Sequence, residues 1–277
     1  MKKTIASTVQ LNNGVQMPWF GLGAFAPGQA QAVGHAVSYA LQLGYRHIDT
    51  ARVYANECEV GEAIAQSEVA REDVFITTKV WNDSHGYDNT IRAFNASLAS
   101  LDSAYIDLYL IHWPARPRLE TWRAMVTLLE EGKCRAIGVS NFTIRHLEEL
   151  LASTSVVPAV NQVEFSPFLY QKELLDYCRA HQIQLEAYSP LTCGRRLDDP
   201  VITSLALMYQ KTPAQIMLRW ALQHDVVVIP KSLQEQRIAE NAAIFDFSIS
   251  ADDMAIMNAL NENYRVASPA WYPENWE

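Results

Sequence analysis

Asp49, Lys79 and His112 each stand at the end of a short run rich in apolar and β-branched residues, and Tyr54 follows Asp49 by five positions. Taken singly, each has an ordinary structural explanation. A lysine beside an aspartate is commonly an ion pair, a lone histidine is commonly a hydrogen-bonded core residue, and Tyr54 is one of 12 tyrosines. Together they describe a chemistry. An ammonium near a phenol favours the phenolate and makes the phenol a stronger acid. Asp49 would hold Lys79 charged and in place, and His112 would donate a hydrogen bond to a substrate oxygen. Such a set protonates an alkoxide as it forms, which is general acid catalysis at a carbonyl. A rival use of Lys79 is as the nucleophile of a Schiff-base lyase.

The runs that position these residues recur along the chain. They are Trp19–Leu22, Tyr45–Ile48, Val74–Thr78, Ile106–Ile111, Ala136–Val139, Ala159–Val163, Gln184–Ala187 and Val226–Ile229. Helical stripes fill the gaps. Val33, Val37, Ala40 and Leu41 form one, closed by Gly44, and Ile91, Phe94, Leu98 and Leu101 form another. Leu119, Trp122, Met125, Val126 and Leu129 end at Gly132, and Ile144, Leu147, Leu150 and Leu151 follow. Leu174, Leu175 and Cys178 make a shorter stripe, and Thr212-Pro213 is a capped helix start before Ile216, Met217, Trp220 and Ala221. An extra loop or short helix is expected between the last two runs. Strand runs apolar throughout suit parallel strands covered on both faces. The pattern predicts a single (β/α)8 TIM barrel over residues 1–277, with an N-terminal β-hairpin cap turning at Asn13-Gly14 and a short C-terminal loop. Gly21-Leu22-Gly23-Ala24-Phe25-Ala26 also satisfies a dinucleotide-binding G-x-G-x-x-G/A pattern, but Pro27-Gly28 interrupts where that motif needs a helix.

In a barrel the active site lies at the C-terminal ends of the strands. From the second run onward, every run ends in polar or ionisable groups, so an acid, a lysine and a histidine on adjacent strands converge at one mouth. Composition excludes several other classes. The chain has 277 residues, 49% hydrophobic and 19% charged, with a formal net charge of −9. An acidic chain lacks the basic face that nucleic acid requires. No apolar run approaches the roughly 18 residues of a membrane span, and the opening MKKTIASTVQ lacks the apolar core of a signal peptide. A cytoplasmic protein is expected. Cys58, Cys134, Cys178 and Cys193 are scattered without metal-ligand spacing, so no metal site is expected. No coiled-coil pattern marks an interface, and a monomer is expected.

The ordered blocks are more specific than any single residue. GYRHIDTA (Gly44–Ala51) with Tyr54 and Asn56-Glu57, TTKVW (Thr77–Trp81), LIHWP (Leu110–Pro114), GVSNF (Gly138–Phe142), NQVEFSPF (Asn161–Phe168), AYSPL (Ala187–Leu191) and IPKS (Ile229–Ser232) occur in sequence. This series resembles the aldo-keto reductase family, from GLG at Gly21–Gly23 to RIAEN at Arg237–Asn241. The resemblance implies an NADPH-dependent carbonyl reductase with a catalytic set of Asp49, Tyr54, Lys79 and His112, in which Tyr54 gives the proton. It implies that Ser140, Asn141 and Gln162 hold the nicotinamide carboxamide and that Tyr188 stacks on the ring. Ser189 and Leu191 would line the pyrophosphate path. Lys231, Ser232 and Arg237 would grip the 2′-phosphate, with Glu240 and Asn241 at the adenine. Two cations beside a hydroxyl suit a phosphate monoester.

By the same resemblance Phe25, Trp81 and Trp113 line the substrate pocket. Trp271, Tyr272 and Trp276 of the tail join that wall or simply pack on the barrel. Apolar walls with polar groups only at the reacting oxygen suit a small carbonyl compound, such as a keto sugar acid, methylglyoxal, a keto ester or an aldehyde. Arg52 and Arg265 are candidates for a substrate carboxylate. The short Thr192–Leu197 segment implies no long loop over the cofactor, and hence easier cofactor release. Cys193 stands where many members carry glycine, and Arg195 and Arg196 are expected to be exposed. The short tail resembles that of bacterial diketogluconate and methylglyoxal reductases. The family also includes NADPH-sensing channel subunits, a non-catalytic alternative for this chain.

Overall fold

Leu11 and Val15 close a turn in which Gly14 takes a φ of 87°, a left-handed conformation that costs glycine little. The turn joins β1 (Thr8–Gln10) antiparallel to β2 (Gln16–Pro18), the expected hairpin cap. The structure is a computed structural model and describes residues 3–276. Met1, Lys2 and Glu277, which belong to the 1–277 span and in part to the opening MKKTIASTVQ, lie outside the described residues.

Eight parallel strands follow. They are β3 (Leu22–Gly23), β4 (His47–Asp49), β5 (Phe75–Val80), β6 (Ile106–Ile111), β7 (Cys134–Ser140), β8 (Val160–Glu164), β9 (Gln184–Tyr188) and β10 (Val227–Val228), each hydrogen-bonded to the next. Every residue of β5 and β6 is buried, as a strand covered on both faces requires. The sheet closes on itself. Gly21 N donates to Val228 O at 2.9 Å, Gly23 N to Pro230 O at 3.2 Å, and Phe20 bridges Val228. A Cβ on Gly23 would stand 2.9 Å from Ile229 O, so this glycine is required by the seam of the barrel. The G-x-G pattern therefore serves closure, and no helix opens on it.

The outer layer is α1 (Ala30–Gln42), α2 (Glu57–Ala65), α3 (Tyr87–Ser100), α4 (Arg118–Glu130), α5 (Ile144–Ser153), α6 (Lys172–Ala180), α7 (Pro200–Tyr209), α8 (Pro213–Gln223), α9 (Glu235–Ala242) and α10 (Ala251–Asn258). Thr212 and Gln215 form a reciprocal capping box ahead of α8, with Pro213 at its first position. The extra element between the last two barrel strands is α7. The expected stripes face the core: Val33, Val37, Ala40 and Leu41 of α1 and Trp122 and Met125 of α4 are buried, while Ile91, Leu98, Leu119, Val126 and Leu129 are half-buried against it.

After α10 the chain returns over the strand ends. Tyr264 N donates to Phe168 O, and Val266 N and Ala267 N donate to the Glu164 carboxylate at 2.6 and 3.3 Å. Arg145 and His146 then hold the carbonyl of Trp276 at 2.8 and 2.7 Å.

Candidate active site

Asp49 ends β4 and Lys79 lies one residue from the end of β5, and the barrel wall brings their side chains together. Lys79 Nζ donates to Asp49 Oδ1 at 2.6 Å and to Thr50 O at 2.8 Å, with the lysine fully shielded from solvent. Gln162 of β8 reaches across the barrel. Its Nε2 donates to Asp49 Oδ2 at 2.7 Å and to Glu186 Oε2 of β9 at 2.8 Å. Burial pushes the Asp49 carboxyl up while Lys79 pulls it down.

Tyr54 sits in a short 3-10 turn, Arg52–Tyr54, immediately after this pair. The turn is fixed from behind by Asn56, which accepts from Thr50 Oγ1 at 2.7 Å and donates to Ala24 O at 2.8 Å. The Lys79 ammonium stands 5.3 Å from the centre of the Tyr54 ring. The ring of His112, which follows β6, lies 5.6 Å from the Tyr54 ring, centre to centre. All four predicted residues thus meet at the barrel mouth. The phenol is not made more acidic, however. Burial, followed by the negative charge of Asp49, holds Tyr54 well above the usual phenol range. Burial, then Lys79, holds His112 well below the usual histidine range, which leaves its imidazole neutral.

Aromatic side chains wall the space above. Phe25 packs on Tyr54, and Trp81 stands edge-on to His112 at 5.0 Å. Trp271 contacts both Trp81 and Trp113, and Trp276 contacts Trp113 and Trp271. The tail tryptophans therefore pack against Trp81 and Trp113. Arg52 and Trp81 also line an open cavity of about 820 Å³ on the flank of the site. Arg265 is engaged elsewhere, bonded to Glu274 at 2.8 Å and stacked on Tyr272.

The residues expected to meet a cofactor fall into two groups. At the centre, Tyr188 OH donates to Asn141 Oδ1 at 2.8 Å, which fixes its ring. Asn141 Nδ2 donates to His112 O and to Ser140 Oγ, and Ser140 Oγ donates to Gln162 O. Because the Gln162 amide nitrogen is committed to two carboxylates, its Oε1 is the part left to accept. At the rim, Lys231 and Arg237 are exposed and pair with no carboxylate among the described residues, beside the buried Ser232. Asn241 is buried, while Glu240 caps toward Thr212 Oγ1 at 2.7 Å. After β9 come Ser189, half-buried Leu191, and left-handed Thr192, Cys193 and Gly194 at φ 50°, 53° and 80°. Cys193 takes the conformation a glycine would hold there, at a cost of roughly 1 kcal/mol. Arg195 is exposed as expected. Arg196 is not: it pairs with Glu262 and stacks on Phe168, anchoring the start of the tail.

A model of the aldo/keto reductase family matches residues 19–262. The chain belongs to the aldo/keto reductase family. It is an oxidoreductase of carbonyl compounds that uses NADP(H). It is 54% identical over 267 residues to a glyoxal reductase of Bacillus subtilis (strain 168), covering 96% of this chain and 97% of that protein. Among solved structures, an aldo-keto reductase of Bombyx mori in complex with NADP superposes with a TM-score of 0.91 at 38% identity, covering 98% of this chain and all of that one. An aldo/keto reductase from Brucella melitensis superposes with a TM-score of 0.88 at 46% identity, covering 92% of this chain and 99% of that one.

Three buried groups around the site escaped the sequence reading: Glu186, His47 and Glu164. Their signal was a charged or imidazole side chain inside an otherwise apolar strand run. Glu164 pins the tail, while Glu186 and His47 lie in the barrel interior below Asp49, 3.6 Å apart.

Proposed function

We propose that the protein reduces a small aldehyde or ketone, of the 2-oxoaldehyde class, to the alcohol with Tyr54 as the general acid. The observation that carries this reading is the convergence of Tyr54, His112 and the Asp49–Lys79 pair beneath an aromatic wall. Bound NADPH supplies the hydride, the step that no side chain can perform. The residues present fit that cofactor: the acceptor Oε1 of Gln162 and the network of Ser140 and Asn141 suit a carboxamide, and the fixed Tyr188 ring offers a stacking face. Lys231, Ser232 and Arg237 suit a phosphate monoester. Glu240 and Asn241 would stand at the adenine, with Ser189 and Leu191 along the pyrophosphate.

Each catalytic side chain has a distinct task. Neutral His112 donates to the carbonyl oxygen and orients it towards Tyr54. Tyr54, protonated at neutral pH, gives its proton to the oxygen as negative charge develops there. Lys79, held by Asp49, stabilises the phenolate left behind. Phe25, Trp81, Trp113 and Trp271 exclude water and leave room for a compact substrate. The similarity to a glyoxal reductase supports the 2-oxoaldehyde class. A Schiff-base role for Lys79 is disfavoured, because its amine is fully buried and already carries two hydrogen bonds. The test is loss of NADPH absorbance with glyoxal, methylglyoxal, an aromatic aldehyde, an aldose and a keto ester. The 2-oxoaldehydes should give the highest kcat/KM. No turnover with any carbonyl, while NADPH still binds, would overturn the reading in favour of a cofactor sensor.

A further inference from the structure

The interior of the barrel below the catalytic pair holds more acid than base. Asp49 and Glu186 are both buried, and among the described residues the one cation in contact with either is Lys79, on Asp49. The groups facing Glu186 are Asp49 and His47 of β4, Lys79 of β5 and Gln162 of β8. Of these, His47 lies 3.6 Å away, outside hydrogen-bond range, and its Nε2 is already bonded to Thr77 Oγ1 at 3.0 Å.

Two other buried carboxyl groups have every oxygen hydrogen-bonded. Both oxygens of Glu57 are met, by Thr78 Oγ1 at 2.6 Å and Ser97 Oγ at 3.2 Å. Both oxygens of Asp107 are met, by Arg135, Arg71 and the Ile76 amide. Glu186 differs. Its Oε2 accepts from Gln162, but its Oε1 is fully buried with no hydrogen-bond partner. A bare oxygen at zero exposure costs far more on an ionised carboxylate than on a neutral acid.

We propose that Glu186 is held as the neutral acid and is a positioning residue, sharing the Gln162 amide with Asp49 so that Asp49 alone claims Lys79. The inference deepens the reductase reading, since it concerns how the proton-donating site is kept charged and placed. Burial and the neighbouring Asp49 charge act in the same sense on Glu186, pushing its carboxyl up to about 8. Above that pH a second anion competes for Lys79 and opposes formation of the Tyr54 phenolate, so proton donation fails.

Two measurements separate this role from a merely structural one. Glu186→Leu should lower kcat/KM about tenfold, the worth of one hydrogen bond to a charged network. Glu186→Gln, which imitates the neutral acid, should recover most of that loss and move the alkaline limb of the kcat/KM–pH profile up by about one unit or more. An unmoved alkaline limb in Glu186→Gln, or a loss in Glu186→Gln as deep as in Glu186→Leu, would overturn the proposal. The second measurement needs neither activity nor a variant that folds. Infrared spectra of the wild type with isotope-labelled glutamate should show a protonated-carboxyl band at pH 6 that vanishes around pH 8. A spectrum with only carboxylate bands at pH 6 would overturn the proposal whatever the enzyme reduces.

Discussion

The ammonium of Lys79 lies 2.6 Å from Asp49 Oδ1 with neither group in contact with bulk solvent to any useful extent. A pair buried this deeply is costly to form and costlier to break, because removing one partner strands a charge. Lys79→Met should therefore destabilise the protein by about 3–5 kcal/mol in urea denaturation, in addition to removing turnover. The double variant Lys79→Met/Asp49→Leu should regain part of that stability and none of the activity. A single-variant loss under about 1 kcal/mol, the range of exposed pairs, would argue against an isolated buried pair.

The exposed cations at the rim lead to a prediction about cofactor choice. Arg237→Ala should weaken NADPH binding about 10- to 100-fold, the worth of a charge-assisted phosphate contact. NADH binding should change by no more than about twofold. Equal weakening of both, read by titration of protein fluorescence, would remove Arg237 from the 2′-phosphate.

His47 connects the interior to acid stability. Burial, aided by Lys79, lowers its pKa to about 3 in the folded protein, against about 6.5 in an unfolded chain. Unfolding at acid pH therefore takes up a proton. The stability tied to neutral His47 is full above pH 6.5 or so and is lost as pH falls towards 3, by about 1.4 kcal/mol per pH unit. Neutral His112 acts in the same direction. Urea midpoints between pH 7 and 4.5 should fall more steeply for the wild type than for His47→Gln. Parallel slopes would mean that His47 is charged in the fold.

Glu164 accepts the amides of Val266 and Ala267 where the tail turns back over the mouth. Glu164→Ala should free Trp271 and Trp276 from the wall. Amide exchange over residues 264–276 should rise, and KM for the carbonyl should increase about tenfold while kcat changes less. Unchanged exchange would show that the Arg145 and His146 contacts hold the tail alone.

Much of this arrangement was legible in the residues. Apolar runs ending in polar groups foretold parallel strands with one chemical face, and Thr212-Pro213 foretold the start of α8 because capping is a local interaction. Asp49, Lys79 and His112 were readable because strand ends in a barrel point to one mouth. The Tyr54 acidity was misjudged because sequence exposes the neighbouring cation but not the burial. Glu186 was hidden for a related reason: Gln162 is its pair on the adjacent strand, but Asp49 lies on β4, and only the curl of the barrel brings Gln162 between the two. The role of Gly23 at the seam was hidden in the same way, since its close neighbour, Ile229, is 206 residues away.

The central claim is that the Tyr54 phenol delivers the proton. The direct measurement is single-turnover oxidation of NADPH by Tyr54→Phe with methylglyoxal, run beside a titration of NADPH binding. Binding should stay within about twofold of the wild type, while turnover falls by roughly 10²- to 10⁴-fold, the usual worth of a positioned acid. Turnover retained in a variant that binds NADPH normally would contradict the account and move the proton-donor role to another group.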